Sequence, residues 1–286
     1  MWCFILVYFY ALSYNSIDYN FANEYFKNKY FGTKELTANC TVVGKGNIIG
    51  RNFDYYYNDK VSFLTRTARH NGLYSVMGMA GQVNTLTKEF VESREYDEAY
   101  KILPFMLQDG INEHGLFVEI NVVPTGDKGI TTGTIPTDTR TDDVCMLMLV
   151  RYILDHYNSV EEVAHELPKH VSIYAPNSDN LKAEYHFFIK DKDQAKIIEF
   201  INNSIVFIDC NANNQFMTNF YMYGVSKNES GHIDYNTVSD YGMGIERANS
   251  IIDNIINVRL SSSLFNLSIK DTLSKLSIST SINTML

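Results

Sequence analysis

A thiol, a cation and a carboxylate stand within one short segment of the sequence, as Cys40, Arg51 and Asp54. A cation beside a thiol lowers the pKa of the thiol and favours the thiolate, which is the attacking species in nucleophilic catalysis. A nearby carboxylate can orient an ammonium group or hold the arginine in place. The same residue types also suit a structural role, because cysteine often serves as a small buried hydrophobe and Arg–Asp pairs commonly close strand ends.

A β-hairpin is expected to bring these three side chains together. Two apolar runs within residues 41–53 flank the turn sequence GKGN, a pattern that is typical of paired antiparallel strands. In a hairpin that is symmetric about the central Lys-Gly pair, Cys40 faces Arg51, with opposite Cβ atoms roughly 4.5–5.5 Å apart. Asp54 then lies just beyond the second strand.

The composition argues against several classes of protein. The chain of 286 residues is 45% hydrophobic and has a net charge of −9, without a basic stripe, so no nucleic-acid partner is expected. No apolar run approaches the roughly 20 residues of a membrane span, so no stable membrane insertion is expected. A homo-oligomer is compatible with the sequence.

Neither a metal nor a cofactor is expected. The four cysteines show no CxxC pairing and no regular spacing, which disfavours both a thiolate zinc site and a disulfide framework. The segment HELPKH begins like a zinc-protease motif, but His170 falls one residue too late after His165 to share its helix face.

The first residues leave two interpretations open. Residues 1–12, MWCFILVYFYAL, resemble the apolar centre of a signal peptide but lack its usual basic start. The missing basic start favours a cytoplasmic protein, whereas a working signal would export it. The alternative is a pro-segment, rich in Phe and Tyr, that packs on the domain until it is removed.

The elements follow the order strands, helices, strands, helices, which predicts an α+β fold of two antiparallel sheets, face to face, with helices outside. Ser159 and Glu162 have the spacing of a capping box at the start of a helix. Beyond the hairpin, the strands are expected at 73–80, 116–123, 185–191, 195–201 and 204–209. The helices are expected at 142–157, from Ser159 onward, at 244–258 and at 269–276, and residues 126–140 are expected to form a long loop.

The segment CTVVGKGNIIGRNFD resembles the start of the mature enzymes of the cholylglycine (bile salt) hydrolase and penicillin V acylase family. These N-terminal nucleophile (Ntn) hydrolases begin Cys-Thr and, after a short hairpin, read Gly-Arg-Asn-x-Asp. Three further segments match in order. They are DGINEHGL at 109–116, MTN at 217–219 and IERANSI at 245–251.

The resemblance implies a four-layer αββα sandwich, in which two antiparallel sheets lie between helix layers. It implies an Ntn amidohydrolase domain at 40–286 and an N-terminal extension at 1–39 that is removed. The chain ends soon after the last expected helix, where relatives continue with strands, so the C-terminal strands are expected to be shortened.

The resemblance also implies a mechanism. Cys40 would attack an amide carbonyl, with its own α-amine as the base, and Asp54 would hold that amine. Arg51 and Arg247 would stabilise negative charge. Asn219 would donate a hydrogen bond to the oxyanion. The family's second oxyanion donor falls at position 122, which is valine here, so Asn121 is the candidate, with a structural strand asparagine as the alternative.

The implied function is hydrolysis of a linear, non-peptide amide, such as a conjugated bile acid, penicillin V or a related N-acyl compound, through a thioester. The expected partner is therefore a small-molecule acyl amide. Two alternatives remain open at this stage. One is an acyltransferase or peptidase-like Ntn relative, and the other is a truncated or unprocessed member that only binds ligand.

Overall fold

The computed structural model describes residues 9–29, 39–52, 62–81, 97–124, 140–175, 184–211, 215–234 and 238–256. The strands are β1 Phe9–Tyr14, β2 Thr41–Lys45, β3 Ile48–Asn52, β4 Ser62–Thr67, β5 Val76–Gly81, β6 Leu107–Asn112, β7 Phe117–Val123, β8 Asp142–Cys145, β9 Val171–Tyr174, β10 Glu184–Lys190, β11 Ala195–Ile201, β12 Ser204–Cys210 and β13 Phe216–Met217. The helices are α1 Tyr19–Asn28, α2 Asp97–Ile102, α3 Leu149–His156, α4 Val160–His170 and α5 Gly244–Ile251. Short 3-10 turns cover Leu103–Phe105 and Met146–Met148, and a π-helical turn covers Ile252–Ile256.

Four sequence-based expectations lie outside the described residues. They are the position of Asp54, the loop expected over 126–140 (apart from its last residue), the helix expected at 269–276 and the shortened C-terminal strands.

Two of the sheets form the body of the fold. The larger has eight strands in the order β1-β4-β5-β6-β7-β10-β11-β12, and the smaller has three in the order β13-β2-β3. Every neighbouring pair in them is antiparallel except β1 with β4, which run parallel. A separate parallel pair joins β8 to β9.

The small sheet lies between the large sheet and α5. Val42 of β2 packs in one cluster with Phe117 and Phe188 of the large sheet. The next residue, Val43, points the other way and packs with Ile245 and Ala248 of α5. Since successive strand residues point to opposite faces, this alternation places the two sheets face to face.

The other face of the large sheet is covered by the remaining long helices. Val118 follows Phe117 and Phe187 precedes Phe188 in their strands, so both side chains point away from the small sheet. They pack in a cluster with residues of the helices, Phe26 of α1, Ile153 of α3 and Val163 of α4. The layers are therefore helices, large sheet, small sheet and helix. This confirms the α+β class and the αββα arrangement.

The hairpin register differs from the prediction. The two central residues of the turn are Gly46 and Asn47, and Gly46 has a φ of +59°, a conformation that glycine adopts without strain. Arg51 consequently pairs with Val42. The prediction that Cys40 faces Arg51 across the ladder is wrong, and Arg51 instead points with Val42 towards the large sheet.

The helix predicted over 142–157 is also wrong in its first part. Residues Asp142–Cys145 form β8, because they pair in parallel with β9, and the α-helix begins only at Leu149. A pairing with residues so distant in sequence overrides the local helical periodicity. The predicted strand at 73–80 likewise begins later, at Val76, because Leu73 closes a tight turn with His70.

The later elements agree better with the sequence. The strand predicted at 116–123 and the three predicted between 185 and 209 are confirmed, with ends shifted by at most one residue. Ser159 caps α4, since its hydroxyl accepts a hydrogen bond from the amide of Glu162 at 3.2 Å. The carboxylate of Glu162 accepts from the amide of Asn158 at 2.7 Å, one residue before the position of a regular capping box.

A buried ion pair ties α3 to the large sheet. Arg151 and Asp155 are both fully buried, one helical turn apart, with Nε 2.8 Å from the carboxylate. Arg151 also donates to the hydroxyl of Thr67 in β4 at 2.7 Å.

Replacement of Arg151 by methionine is expected to lower the free energy of unfolding by about 3–5 kcal/mol, because Asp155 would remain as a buried, unpaired charge. Chemical denaturation monitored by circular dichroism measures this change. Arg69→Met is the matched control, since the Arg69 side chain is 62% exposed and its pair with Glu113 is long, at 3.6 Å. Its loss is expected to stay below about 1 kcal/mol, and equal losses would contradict the role of the buried pair.

Candidate active site

Cys40 lies in the buried entry to β2, where its residue surface is 2% exposed. Arg247 of α5 reaches it from the outer helix layer. One guanidinium nitrogen, Nη1, donates to the carbonyl oxygen of Cys40 and to the hydroxyl of Thr41, both at 2.5 Å. The backbone at Cys40, the expected nucleophile, is thus held by an arginine more than 200 residues away in sequence.

The same guanidinium holds Asn219. Nη2 of Arg247 donates to the side-chain oxygen of Asn219 at 2.7 Å, and Nε donates to the carbonyl of Gly242 at 2.9 Å. Arg247 and Asn219 are 2% and 0% exposed. Because the guanidinium is planar and carries five N–H donors, one side chain can set the distance between Cys40 and Asn219.

Asn219 is oriented from three directions. Its side-chain nitrogen donates to the carbonyl of Val122 at 2.7 Å, and its own carbonyl accepts from the amide of Tyr241 at 2.9 Å. Helix α5 begins against its backbone, since a Cβ at Gly244 would lie 3.2 Å from the backbone N and O of Asn219. Glycine at this position therefore allows the helix to approach.

Arg51 approaches from the opposite side, between the two sheets. Its guanidinium contacts the carboxyl groups of Asp109 of β6 and Glu119 of β7, which face each other across the β6–β7 ladder. It also donates to the carbonyl of Ile120 at 3.0 Å. The three side chains are at most 4% exposed, so contact with water contributes little to their stability.

The pKa values of this cluster follow from burial and mutual charge. Burial alone would lower the pKa of the Arg51 guanidinium, but Glu119, Asp109 and then Cys40 outweigh it and hold that pKa above its usual value. Burial raises the pKa of Glu119 to about 8, against the attraction of Arg51, and the charge of Asp109 adds to the rise. At neutral pH, Arg51 is therefore charged, and burial favours the protonated form of Glu119.

Asn121 lies on the face that points to this site. It pairs with His186 across the β7–β10 ladder and donates to the carbonyl of Thr218 at 3.3 Å. Val122 points to the opposite face, where it packs in the helix-covered core. The structure thus places the side chain of Asn121, rather than that of position 122, beside the strand that leads to Asn219.

A buried histidine–glutamate pair, His186 with Glu199, also binds the carbonyl of Thr218. Nε2 of His186 lies 2.8 Å from the carbonyl of Thr218, which can only accept, so this nitrogen carries a proton and donates it. Its other ring nitrogen lies 3.2 Å from Glu199, whose carboxylate accepts from the amides of Met222 and Tyr223 at 2.7 and 2.9 Å. The pair fixes the backbone on both sides of Asn219.

The structure therefore brings together five of the six predicted site residues. Cys40, Asn219 and Arg247 are directly bridged, while Arg51 and Asn121 reach the same region from the inter-sheet face; Asp54 lies outside the described residues. Four further polar residues surround them, namely Asp109, Glu119, His186 and Glu199. Asp109 is the first residue of the family-like segment 109–116, and the two glutamates are carboxyls within mostly apolar strands, which were the available signals.

Two other thiols are unsuited to nucleophilic chemistry. Burial raises the pKa of Cys145 to about 12 and, more than any neighbouring charge, that of Cys210 to about 12. Neither forms a disulfide. Among the described residues, no group of His, Cys, Asp and Glu side chains could hold a metal ion, and no helix is long and apolar enough to cross a membrane.

The raised pKa of Glu119 predicts a pH-dependent stability. Between the ordinary value of 4.5 and about 8, the folded chain keeps a proton that the unfolded chain releases, so the free energy of unfolding falls as pH rises. Relative to Glu119→Gln, the parent protein should lose up to roughly 1.4 kcal/mol per pH unit in this window and no more above it. Urea denaturation at a series of pH values measures the difference.

The control for this series is Glu229→Gln, which removes a carboxyl in an exposed turn and is measured at the same pH values. A constant difference between Glu119→Gln and the parent protein would show that Glu119 is ionised in the folded state throughout the range.

The sequence of this chain matches a family and its fold matches solved structures. Residues 40–248 match the linear amide C–N hydrolases of the choloylglycine hydrolase family. Penicillin V acylase from Agrobacterium tumefaciens is similar at 15% identity and a TM-score of 0.50, over 86% of this chain and 74% of that chain. A variant of conjugated bile acid hydrolase from Clostridium perfringens is similar at 18% identity and a TM-score of 0.47, over 85% and 75%.

At such identities the structural likeness shows the fold alone, and no curated protein sequence matches. The family match covers well over half of the chain and begins at Cys40. This chain belongs to the choloylglycine hydrolase family of linear amide C–N hydrolases and is an amidohydrolase.

Proposed function

We propose that this enzyme hydrolyses a linear, non-peptide N-acyl amide with the thiol of Cys40, after the chain is cleaved between Asn39 and Cys40. The supporting observation is the bridge made by Arg247 between the Cys40 carbonyl and the Asn219 side chain. Through this bridge, the backbone of Cys40, the amide group of Asn219 and the guanidinium of Arg247 lie in one buried region, which supports the proposal. The catalytic domain is residues 40–286, and residues 1–39 precede the cut.

Cleavage supplies the base that the uncut chain lacks. A free α-amine has a pKa of about 7.7–8.0 and a cysteine thiol one of about 8.5, so the amine of Cys40 can take the proton of its own thiol. Asp54 accepts a hydrogen bond from this amine in the proposal and so directs where its proton goes.

The reaction proceeds in two steps. The thiolate of Cys40 attacks the amide carbonyl, the C–N bond breaks, and the leaving amine takes the proton from the α-ammonium group. A thioester then joins the acyl group to Cys40. Water adds to the thioester with the α-amine as base, the C–S bond breaks, and the acid leaves while the thiol is restored.

Asn219 provides the main stabilisation of the oxyanion. Its amide nitrogen has two N–H donors, one of which is directed at the carbonyl of Val122, and the other is assigned to the developing negative charge. Because its oxygen is held by Arg247, the amide cannot rotate away from this orientation. Asn121 is assigned as the second donor on the inter-sheet side.

The two arginines act on charge from opposite sides. Arg51 is the cation whose charge interacts with Cys40 directly, and it favours the thiolate. Arg247 is bound to the carbonyl of Cys40 and to Asn219, so its charge also lies next to the tetrahedral intermediate. The substrate is a small acyl amide of the kind named by the solved relatives, which act on conjugated bile acids and penicillin V.

Replacement of Cys40 by alanine is expected to abolish both chain cleavage and turnover, with kcat/KM lowered by at least about 1,000-fold. Intact mass spectrometry under denaturing conditions reports the cleavage, and release of amine from a panel of N-acyl amides reports the turnover. Cys145→Ala is the matched control, because its thiol is equally buried but has a pKa of about 12. Equal losses of activity in both variants would contradict the assignment of Cys40 as the nucleophile.

Arg247→Lys tests the bridge separately from the charge. Lysine keeps the cation but lacks the planar fork that reaches both the Cys40 carbonyl and the Asn219 oxygen. We expect kcat to fall by about 100-fold or more, with a smaller change in KM, because the oxyanion donor loses its fixed orientation. Unchanged kcat in Arg247→Lys would show that positive charge alone is required.

A further inference from the structure

Residues 9–29, which precede Cys40 in the sequence, are built into the fold. Strand β1 forms the edge of the eight-stranded sheet and pairs with β4 in register from Phe9 opposite Ser62 to Tyr14 opposite Thr67. The amide of Ala68 donates to the carbonyl of Tyr14 at 2.9 Å, which extends this pairing. Without β1, strand β4 would become an exposed sheet edge.

Helix α1 fills part of the main core. Ala22 and Phe26 are fully buried and Tyr25 is 8% exposed. These side chains belong to the same hydrophobic cluster as Cys40 and the helix-covered face of the large sheet. Departure of α1 would therefore open a cavity in the core that contains the proposed nucleophile.

Specific polar contacts join the segment to the body. The hydroxyl of Tyr19 donates to the buried carboxylate of Asp155 at 2.6 Å. Tyr14 donates to the carbonyl of Tyr100 at 3.0 Å, and Tyr100 returns a bond to the carbonyl of Ser13 at 3.2 Å. The rest of the domain thus provides complementary contacts for both β1 and α1. The hydroxyl of Tyr19 adds a third member to the buried pair of Asp155 with Arg151.

We propose that the N-terminal segment, of which residues 9–29 are described, stays bound to the catalytic domain after the chain is cut before Cys40. The mature enzyme is then a non-covalent complex of two pieces of one chain. This inference rests on the proposed cleavage. The partner surface is the β4 edge together with the core site for Phe26 and the polar site for Tyr19, and the segment is required for activity because it packs in the core that holds Cys40.

The test compares the masses of the purified protein under two conditions. With an affinity tag on the catalytic domain, denaturing mass spectrometry should show two pieces that meet between Asn39 and Cys40. Native mass spectrometry of the same sample should show their sum. If the denaturing spectrum shows two pieces and the native spectrum shows only the larger one, retention of the segment is overturned, while the proposed nucleophile is unaffected. An active chain that is not cut would instead overturn the proposed function.

A second arm tests retention without relying on self-cleavage. A protease site is placed within residues 30–38 of the full chain in the Cys40→Ala background, the protein is cut, and the cut sample is passed through size-exclusion chromatography. The inference predicts that both pieces elute together. Separation of the pieces under native conditions would contradict it.

Variants of the segment test the assigned contacts. Phe26→Ala should raise the Kd of the segment by at least about 100-fold, because it removes a fully buried ring. Asn20→Ala, at an exposed position of the same helix, should leave the Kd unchanged. Equal affinity in the two variants would show that the core site does not hold the segment.

Discussion

The site depends on the guanidinium of Arg247, because it binds both the Cys40 carbonyl and the Asn219 side chain. Its hydrogen bonds join three elements that are far apart in sequence: the entry to β2, the turn after β13 and helix α5. An arginine can do this because its planar fork directs several donors at once. The glycine at the start of α5 lets the helix come close enough to the Asn219 backbone for the fork to reach.

A second buried cation, Arg51, needs polar partners in the space between the two sheets. A buried guanidinium is stable only with nearby counter-charge, and the carboxyl groups of Asp109 and Glu119 both lie against that of Arg51. The need for these carboxyls explains why β6 and β7 carry charged residues on a face that is otherwise packed with apolar side chains. His186 and Glu199 lie further along the same face, where they hold the backbone on both sides of Asn219. The apolar parts of the sheets hold the fold, and this polar part positions the site.

Local patterns in the sequence predicted the elements well, and long-range pairing explains most of the errors. Alternating apolar residues correctly indicated β10 to β12, since the pattern is contained in each strand. The hairpin register was missed because GKGN fits more than one turn, and a small shift changes which residue faces Arg51. Residues 142–145 have helical periodicity, yet their pairing with β9 cannot be read locally. The resemblance supplied the candidate residues and included Asp109 in a matched segment, whereas its pairing with Glu119 became visible only through the β6–β7 ladder.

The central claim is that the thiol of an N-terminal Cys40 carries the acyl group during turnover. The direct measurement is acid quenching of the enzyme during turnover of an N-acyl amide, followed by peptic digestion and tandem mass spectrometry at acid pH, where the protonated α-amine cannot take the acyl group from sulfur. We expect an acyl group on a peptide that begins at Cys40, joined as a thioester that hydroxylamine removes, with the α-amine unmodified. An acyl group on another residue, or on Cys40 in a peptide that still contains Asn39, would contradict it.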